Sequence, residues 1–97
     1  MVYTVSDVER EFRRTFGRVV KHNRNLIGYT QVQLADLIGT TQRHISDIEI
    51  GVYAPSLLLY AKLCIALEMQ PSQVTDMLRL IKFSELYPKG TVKKGKY

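Results

Sequence analysis

Gln42 and Arg43 stand side by side in Thr40-Thr41-Gln42-Arg43-His44-Ile45-Ser46-Asp47-Ile48-Glu49-Ile50-Gly51, where forked donors, acids, hydroxyls and isoleucines mix. A glutamine amide and an arginine guanidinium each present a planar pair of hydrogen-bonding groups. Such groups can recognise a planar polar partner, or simply face water. Both readings are open from the residues alone. Catalysis has less support. The acids form no paired arrangement that suggests a pocket, so general acid–base chemistry is not indicated. Thr40, Thr41, Ser46 and Ser56 read better as helix caps or contact groups than as nucleophiles. His22 and His44 are far apart in sequence, and Cys64 sits in an apolar run where it reads as core. No metal site and no cofactor are expected.

The elements that must position this stretch are helices. Ile45 and Ile48 are three apart and face inward, while Gln42 and Ser46 are four apart on another side. Thr40 or Thr41 can cap this helix, which runs to about residue 50 and stops at Gly51. Upstream, Ser6 and Glu9 fit a capping box. Val8, Phe12, Phe16, Val19 and Val20 then form one stripe along a helix ending near Asn25, with Arg13, Arg14, Arg18 and Lys21 mostly off it. Gly28 breaks the chain. Thr30-x-x-Gln33 opens a short second helix whose apolar side is Leu34, Ala35, Leu37 and Ile38, and Gly39 ends it. Pro55-Ser56 starts a fourth helix, LLLYAKLCIALE, apolar nearly all round and therefore expected at the centre of the core. Pro71-Ser72 starts a fifth, carrying Val74, Met77, Leu78, Leu80, Ile81 and Phe83. The expected fold is all-α: a compact bundle of about five helices, in which residues 31–38 and 41–50 cross steeply over a turn of roughly two residues as a helix-turn-helix. Residues 1–88 read as one domain and 89–97 as a basic flexible tail.

Composition sets the outer limits. The 97 residues are 45% hydrophobic and 24% charged, which suits one globular domain. No apolar run approaches the roughly 18 residues of a membrane span. The start, MVYTVSDVEREF, lacks the apolar block of a signal peptide, and the single cysteine agrees with a reducing compartment, so a cytoplasmic location is expected. The net charge of +5 is unevenly spread. Residues 1–25 carry six Lys/Arg against three Asp/Glu, and residues 71–97 carry six against two. Residues 26–51 carry one against three, so the stretch of interest lies in the acidic segment. A basic balance favours nucleic acid or other anionic surfaces.

The run GYTQVQLADLIGTTQRHISDIEIG resembles the helix-turn-helix of the phage repressor and Cro family, the xenobiotic-response-element family of bacterial regulators. The likeness rests on Thr30-Gln31, Leu34-Ala35, Gly39, Ile45, Ile48-Glu49 and Gly51, followed by Pro55-Ser56 and Leu67. It covers about residues 15–78 and implies a lambda-repressor-like domain. The matched positions have physical reasons. Ala35 is small where helices cross, and Gly39 takes a positive φ at low cost. The resemblance implies that Gln31 hydrogen-bonds a DNA phosphate at a helix N-terminus. It implies that the third helix enters the major groove with Thr41, Gln42, Arg43 and Asp47 at the bases. Gln42 would then pair with adenine and Arg43 with guanine, each discriminating by roughly 1–3 kcal/mol. His44 and Ser46 would reach phosphates or bases, and Tyr53 lies in the loop beside DNA. Arg24 and Glu49 match a structural ion pair that would pin the third helix to the first, although a partly exposed pair would contribute little. Ile50 departs from the pattern, where a polar residue is usual. With Val52 and Tyr53 it forms an apolar cluster.

The function this implies is sequence-specific transcriptional regulation, with the protein most simply a homodimeric repressor on a palindromic operator of double-stranded DNA. The expected dimer interface is the fifth helix, through Met77, Leu80, Ile81, Phe83, Leu86 and Tyr87. An alternative is an antitoxin whose main role is inhibition of a toxin or other antagonist protein, touching it through Ile50-Val52-Tyr53 or residues 83–97. Another is a bridging or RNA-binding module without an operator. An enzyme is not expected.

Overall fold

A threonine before each short helix explains where the central unit begins. The computed structural model describes residues 5–73 and 76, with side chains from Asp7 onward. Four helices are described: α1 (Val5–Ile27), α2 (Gln31–Ile38), α3 (Gln42–Glu49) and α4 (Leu57–Ala66). A further helical stretch starts at 71–73. Among the described residues there is no strand. Thr30 is extended and accepts from the Gln33 amide at 3.0 Å, while Gln33 Oε1 accepts from the Thr30 amide at 2.8 Å. That reciprocal pair satisfies two donors that a helix start leaves free. Thr41, also extended, accepts from the His44 amide at 3.1 Å. Thr41, not Thr40, is therefore the cap of α3. Ser56 caps α4 through the Leu59 amide at 3.2 Å.

The turn between α2 and α3 depends on Gly39, whose φ of +76° is left-handed. A side chain there would meet its own carbonyl, and glycine avoids that strain. The Gly39 and Thr40 amides both return to the Ala35 carbonyl, closing α2 before the chain reverses into α3. The core lies beneath this unit. Phe16 and Val20 from α1, Leu34, Ala35 and Ile38 from α2, and Ile45 and Ile48 from α3 meet Leu59, Leu63, Leu67 and Met69. Each fully buried aliphatic or aromatic side chain contributes about 1.5–3 kcal/mol relative to exposure. Helix α1 packs on α3, α2 on both α3 and α4.

The α1–α3 crossing is close enough to need a residue without a side chain. A Cβ placed on Gly17 would lie 2.4 Å from the Ile48 carbonyl oxygen and 2.5 Å from that of Glu49. Gly17 therefore lets the middle of α1 rest directly on the backbone at the end of α3.

Several expectations are corrected. Val5 and Ser6 already lie within α1, so the helix starts ahead of the position expected for its cap. Helix α1 also continues past Asn25 to Ile27. Leu37 is exposed, since it lies about 100° around α2 from the buried Leu34–Ala35–Ile38 side. Helix α4 is not buried all round. Leu59 and Leu63 face the core, whereas Leu57, Leu58 and Ile65 are more than two-thirds exposed. One packed face cannot cover a helix that is apolar on every side. Cys64 is half-buried, at the margin of the core. No helix among the described residues is long and apolar enough to cross a membrane.

Candidate nucleic-acid interface

Helix α3 is eight residues long and divides cleanly by side. Ile45 and Ile48 are completely buried and fix it to the core. Thr41, Gln42 and Arg43 at its start are exposed, and Ser46 and Asp47 are half-buried one turn later. The Arg43 side chain is 90% exposed, with its Nε 3.9 Å from Asp47 Oδ2. At that exposure the contact is loose, and it leaves the guanidinium free to reorient toward a partner. Asp47 thus stands where it can hold Arg43 or accept a bond itself.

His44 is engaged within the protein. Its Nδ1 lies 2.7 Å from Thr40 Oγ1, and its ring centroid is 5.0 Å from that of Tyr53. Tyr53 is half-buried and packs against the core. The apolar cluster expected in this loop is consequently divided: Tyr53 turns inward, while Ile50 and Val52 point outward at 66% and 56% exposure.

The far end of α3 is held by charge. Arg24 Nε donates to Glu49 Oε2 at 2.7 Å, and a second guanidinium nitrogen donates to Oε1 at 3.0 Å. The remaining fork donates to the Tyr29 carbonyl at 2.8 Å. This pair is buried, at 8% and 7% exposure. The Glu49 hydrogen bond, and secondarily its charge, raise the Arg24 pKa above its ordinary value against the opposing effect of burial. Removing one partner of such a pair costs about 3–5 kcal/mol because the other charge stays buried.

Gln31, at the first position of α2, is drawn into this arrangement. Its Nε2 donates to Glu49 Oε1 at 3.0 Å, and its Oε1 lies 3.5 Å from Gln42 Nε2. The start of α2, the start of α3 and the end of α3 thereby meet through side chains. Sequence reading placed Gln31 and Gln42 separately. Their contact has no signal in spacing, because it depends on the crossing angle of two helices.

Basic groups flank the other side. Arg10, Arg14, Arg18 and Lys21 are exposed and spaced four, four and three apart, one stripe along α1. Arg14 adjoins Gly51, just past the end of α3. Arg13 is half-buried and donates through Nε to the Gly51 carbonyl at 3.4 Å. Arg13 thus braces the α3–α4 loop, and its exposed neighbours leave a positive edge next to it. The expected interface residues Met77, Leu80, Ile81, Phe83, Leu86 and Tyr87, and the basic tail at 89–97, lie outside the described residues.

Comparison with known proteins gives the same picture of the central unit. Residues 20–74 match the family model described as helix-turn-helix. A stretch of 55 residues is 42% identical to YgzD of Bacillus subtilis (strain 168), which is named an uncharacterized HTH-type transcriptional regulator; the match covers 57% of this chain and 83% of that one. A stretch of 49 residues is 37% identical to a protein of Methanothermobacter thermautotrophicus with the same kind of name, covering 50% of this chain and 71% of that one.

Proposed function

From the premise that this chain belongs to the helix-turn-helix family, we propose that it is a DNA-binding transcriptional regulator of the Cro-like type that reads its site through α3. The observation that carries the reading is the division of that helix. Ile45, Ile48 and Glu49 hold it rigidly, and an exposed edge of Thr41, Gln42 and Arg43 is left over. Two amide or guanidinium forks at the start of a helix suit base edges in a major groove: Gln42 for adenine, Arg43 for guanine. Asp47 and Ser46 extend this edge by one turn. Gln31 at the start of α2 contacts a phosphate, and the α1 stripe, of which Arg14 adjoins Gly51, contacts the flanking backbone. His44 and Tyr53, in ring contact with each other, support the loop and serve DNA at most at its margin.

The protein acts in the cytoplasm, on the nucleoid when bound. It binds as a homodimer to a palindromic operator, with half-sites about one helical turn apart. Met77, Leu80, Ile81, Phe83, Leu86 and Tyr87 are the proposed contact between subunits. The names of the two relatives support the regulatory assignment. A second reading, an antitoxin that also represses its own transcription, draws support from Ile50 and Val52, exposed beside the reading helix. Selection of bound sequences from random duplex DNA tests the first reading. A palindromic consensus is expected. Binding that weakens with salt yet selects no sequence would sink it.

A further inference from the structure

Three helices end around one groove. Ile27 closes α1, Ile38 and Gly39 close α2, Ala66 closes α4, and all four line a groove of about 740 Å³. A groove of that size suits a small molecule. No residue of α3 lines it. Its walls are apolar. Ile38 belongs to the core, while Leu37 of α2 and Ile65 of α4 stand exposed. Large apolar side chains exposed singly need no explanation, but grouped around a concavity they mark a binding site.

Charge says what the groove takes. The free carbonyls at a helix C-terminus carry about half a negative charge, which a basic residue in the last turn offsets. Helices α2 and α4 have no such residue, and Arg24 in the last turn of α1 is committed to Glu49. Asp36 and Glu68 add two exposed carboxylates to the lining, and among the described residues neither side chain has a partner. Lys62 is the one Lys or Arg in the lining, and its ammonium turns to the Ile38 carbonyl at 3.4 Å. One lysine does not balance two carboxylates and the helix ends. Half-buried Tyr29 also lines the groove, and aromatic rings attract cations. We propose that this groove binds a small hydrophobic cation, an amine or quaternary ammonium on an alkyl or aryl body. The body covers Leu37, Ile38 and Ile65, and the positive head faces Asp36, Glu68 and the helix ends. An anion of the same shape meets the same walls and is repelled. The site goes beyond the reading of α3 and does not depend on it.

The test titrates the full chain, without DNA, with octyltrimethylammonium and with octyl sulfonate, followed by calorimetry. The two probes share a tail and differ in the sign of the head, and both are used below the concentration at which they form micelles. Saturable binding of one ammonium per chain is expected, tighter than the sulfonate by on the order of tenfold. Asp36→Asn combined with Glu68→Gln keeps shape and removes both carboxylates, so most of that preference should disappear. Ile65→Ser removes an exposed wall and should weaken both probes alike. Both changes are at exposed positions, and helical circular dichroism checks that the variants fold. Equal affinity for the two probes in the unaltered chain overturns the inference and leaves a plain apolar patch. Failure of the ammonium to saturate also overturns it, as when residues 74–97 or a second copy of the chain cover the groove. Ammonium binding that survives both sets of changes in folded protein places the cation elsewhere and overturns it too. A chain that binds the ammonium as expected but selects no DNA sequence sinks the proposed function and leaves this inference standing.

Discussion

Arg43 shows how little of the protein is free to make contacts. Its neighbours on α3 are committed: His44 to Thr40 and Tyr53, Ile45 and Ile48 to the core, Glu49 to Arg24. Arg43 has only a 3.9 Å approach to Asp47 and is almost fully exposed. An exposed pair of this kind contributes little to stability, so its loss should leave melting unchanged within about 0.5 kcal/mol. If the guanidinium instead reads guanine, Arg43→Ala should relax one position in each half-site by about 1–3 kcal/mol. Binding by the variant to a panel of single-base operator changes measures this. Uniform weakening across the panel would assign Arg43 to a phosphate. The acids that looked out of place beside DNA are resolved at the same scale. Glu49 is neutralised by Arg24 inside the protein, and Asp47 sits within reach of Arg43.

At the scale of elements, the short helices were legible and the contacts between them were not. Thr30 with Gln33, Thr41, Ser56 and Gly39 mark their ends in sequence because capping is local chemistry, and α2, α3 and α4 start where those residues place them. Periodicity also picked out Ile45 and Ile48 as buried. It failed for α4, whose apolar sequence gives no phase, and for Leu37, where two turns of helix leave the stripe poorly defined. The exposed Leu57, Leu58 and Ile65 are the consequence. Arg24 and Glu49 were paired only through family resemblance, since their burial is set by how three helices converge. Gly17 carried no signal at all, because a lone glycine in a helical pattern only weakens the expectation of helix. Its role is in the crossing. Gly17→Ala adds a Cβ within 2.5 Å of two backbone oxygens that cannot move independently of α3. The expected effect is destabilisation of about 1–3 kcal/mol, seen as a lower melting temperature. Since α1 must lift off the end of α3, DNA affinity should fall as well in the folded fraction. A gain in stability, as expected for alanine over glycine in an unobstructed helix, would show that the helices separate at no cost.

At the scale of the whole molecule, charge is unevenly spread along the chain. The helix-turn-helix itself is acidic on balance, with one Lys/Arg against three Asp/Glu over residues 26–51, so it cannot supply the attraction to a polyanion. That attraction must come from elsewhere, and α1 presents Arg10, Arg14, Arg18 and Lys21 along one exposed stripe. Arg10 is partly occupied by Asp7 at 3.9 Å, whereas Arg14 lies against the loop that follows α3. On the proposed reading, Arg14, Arg18 and Lys21 are the groups that would neutralise phosphates. Each phosphate contact adds about 0.9 to the slope of log affinity against log salt, through release of condensed counterions. Replacing Arg14 and Arg18 with glutamine keeps helix propensity and length, so the fold should survive. The slope should become shallower by roughly one to two per subunit that binds. Base preference measured at fixed salt should stay the same, because phosphates carry no sequence information directly. An unchanged slope would place the phosphate contacts elsewhere in the chain and leave the α1 stripe as solvated surface. A shallower slope with altered base preference would mean that α1 also sets the angle at which α3 enters the groove.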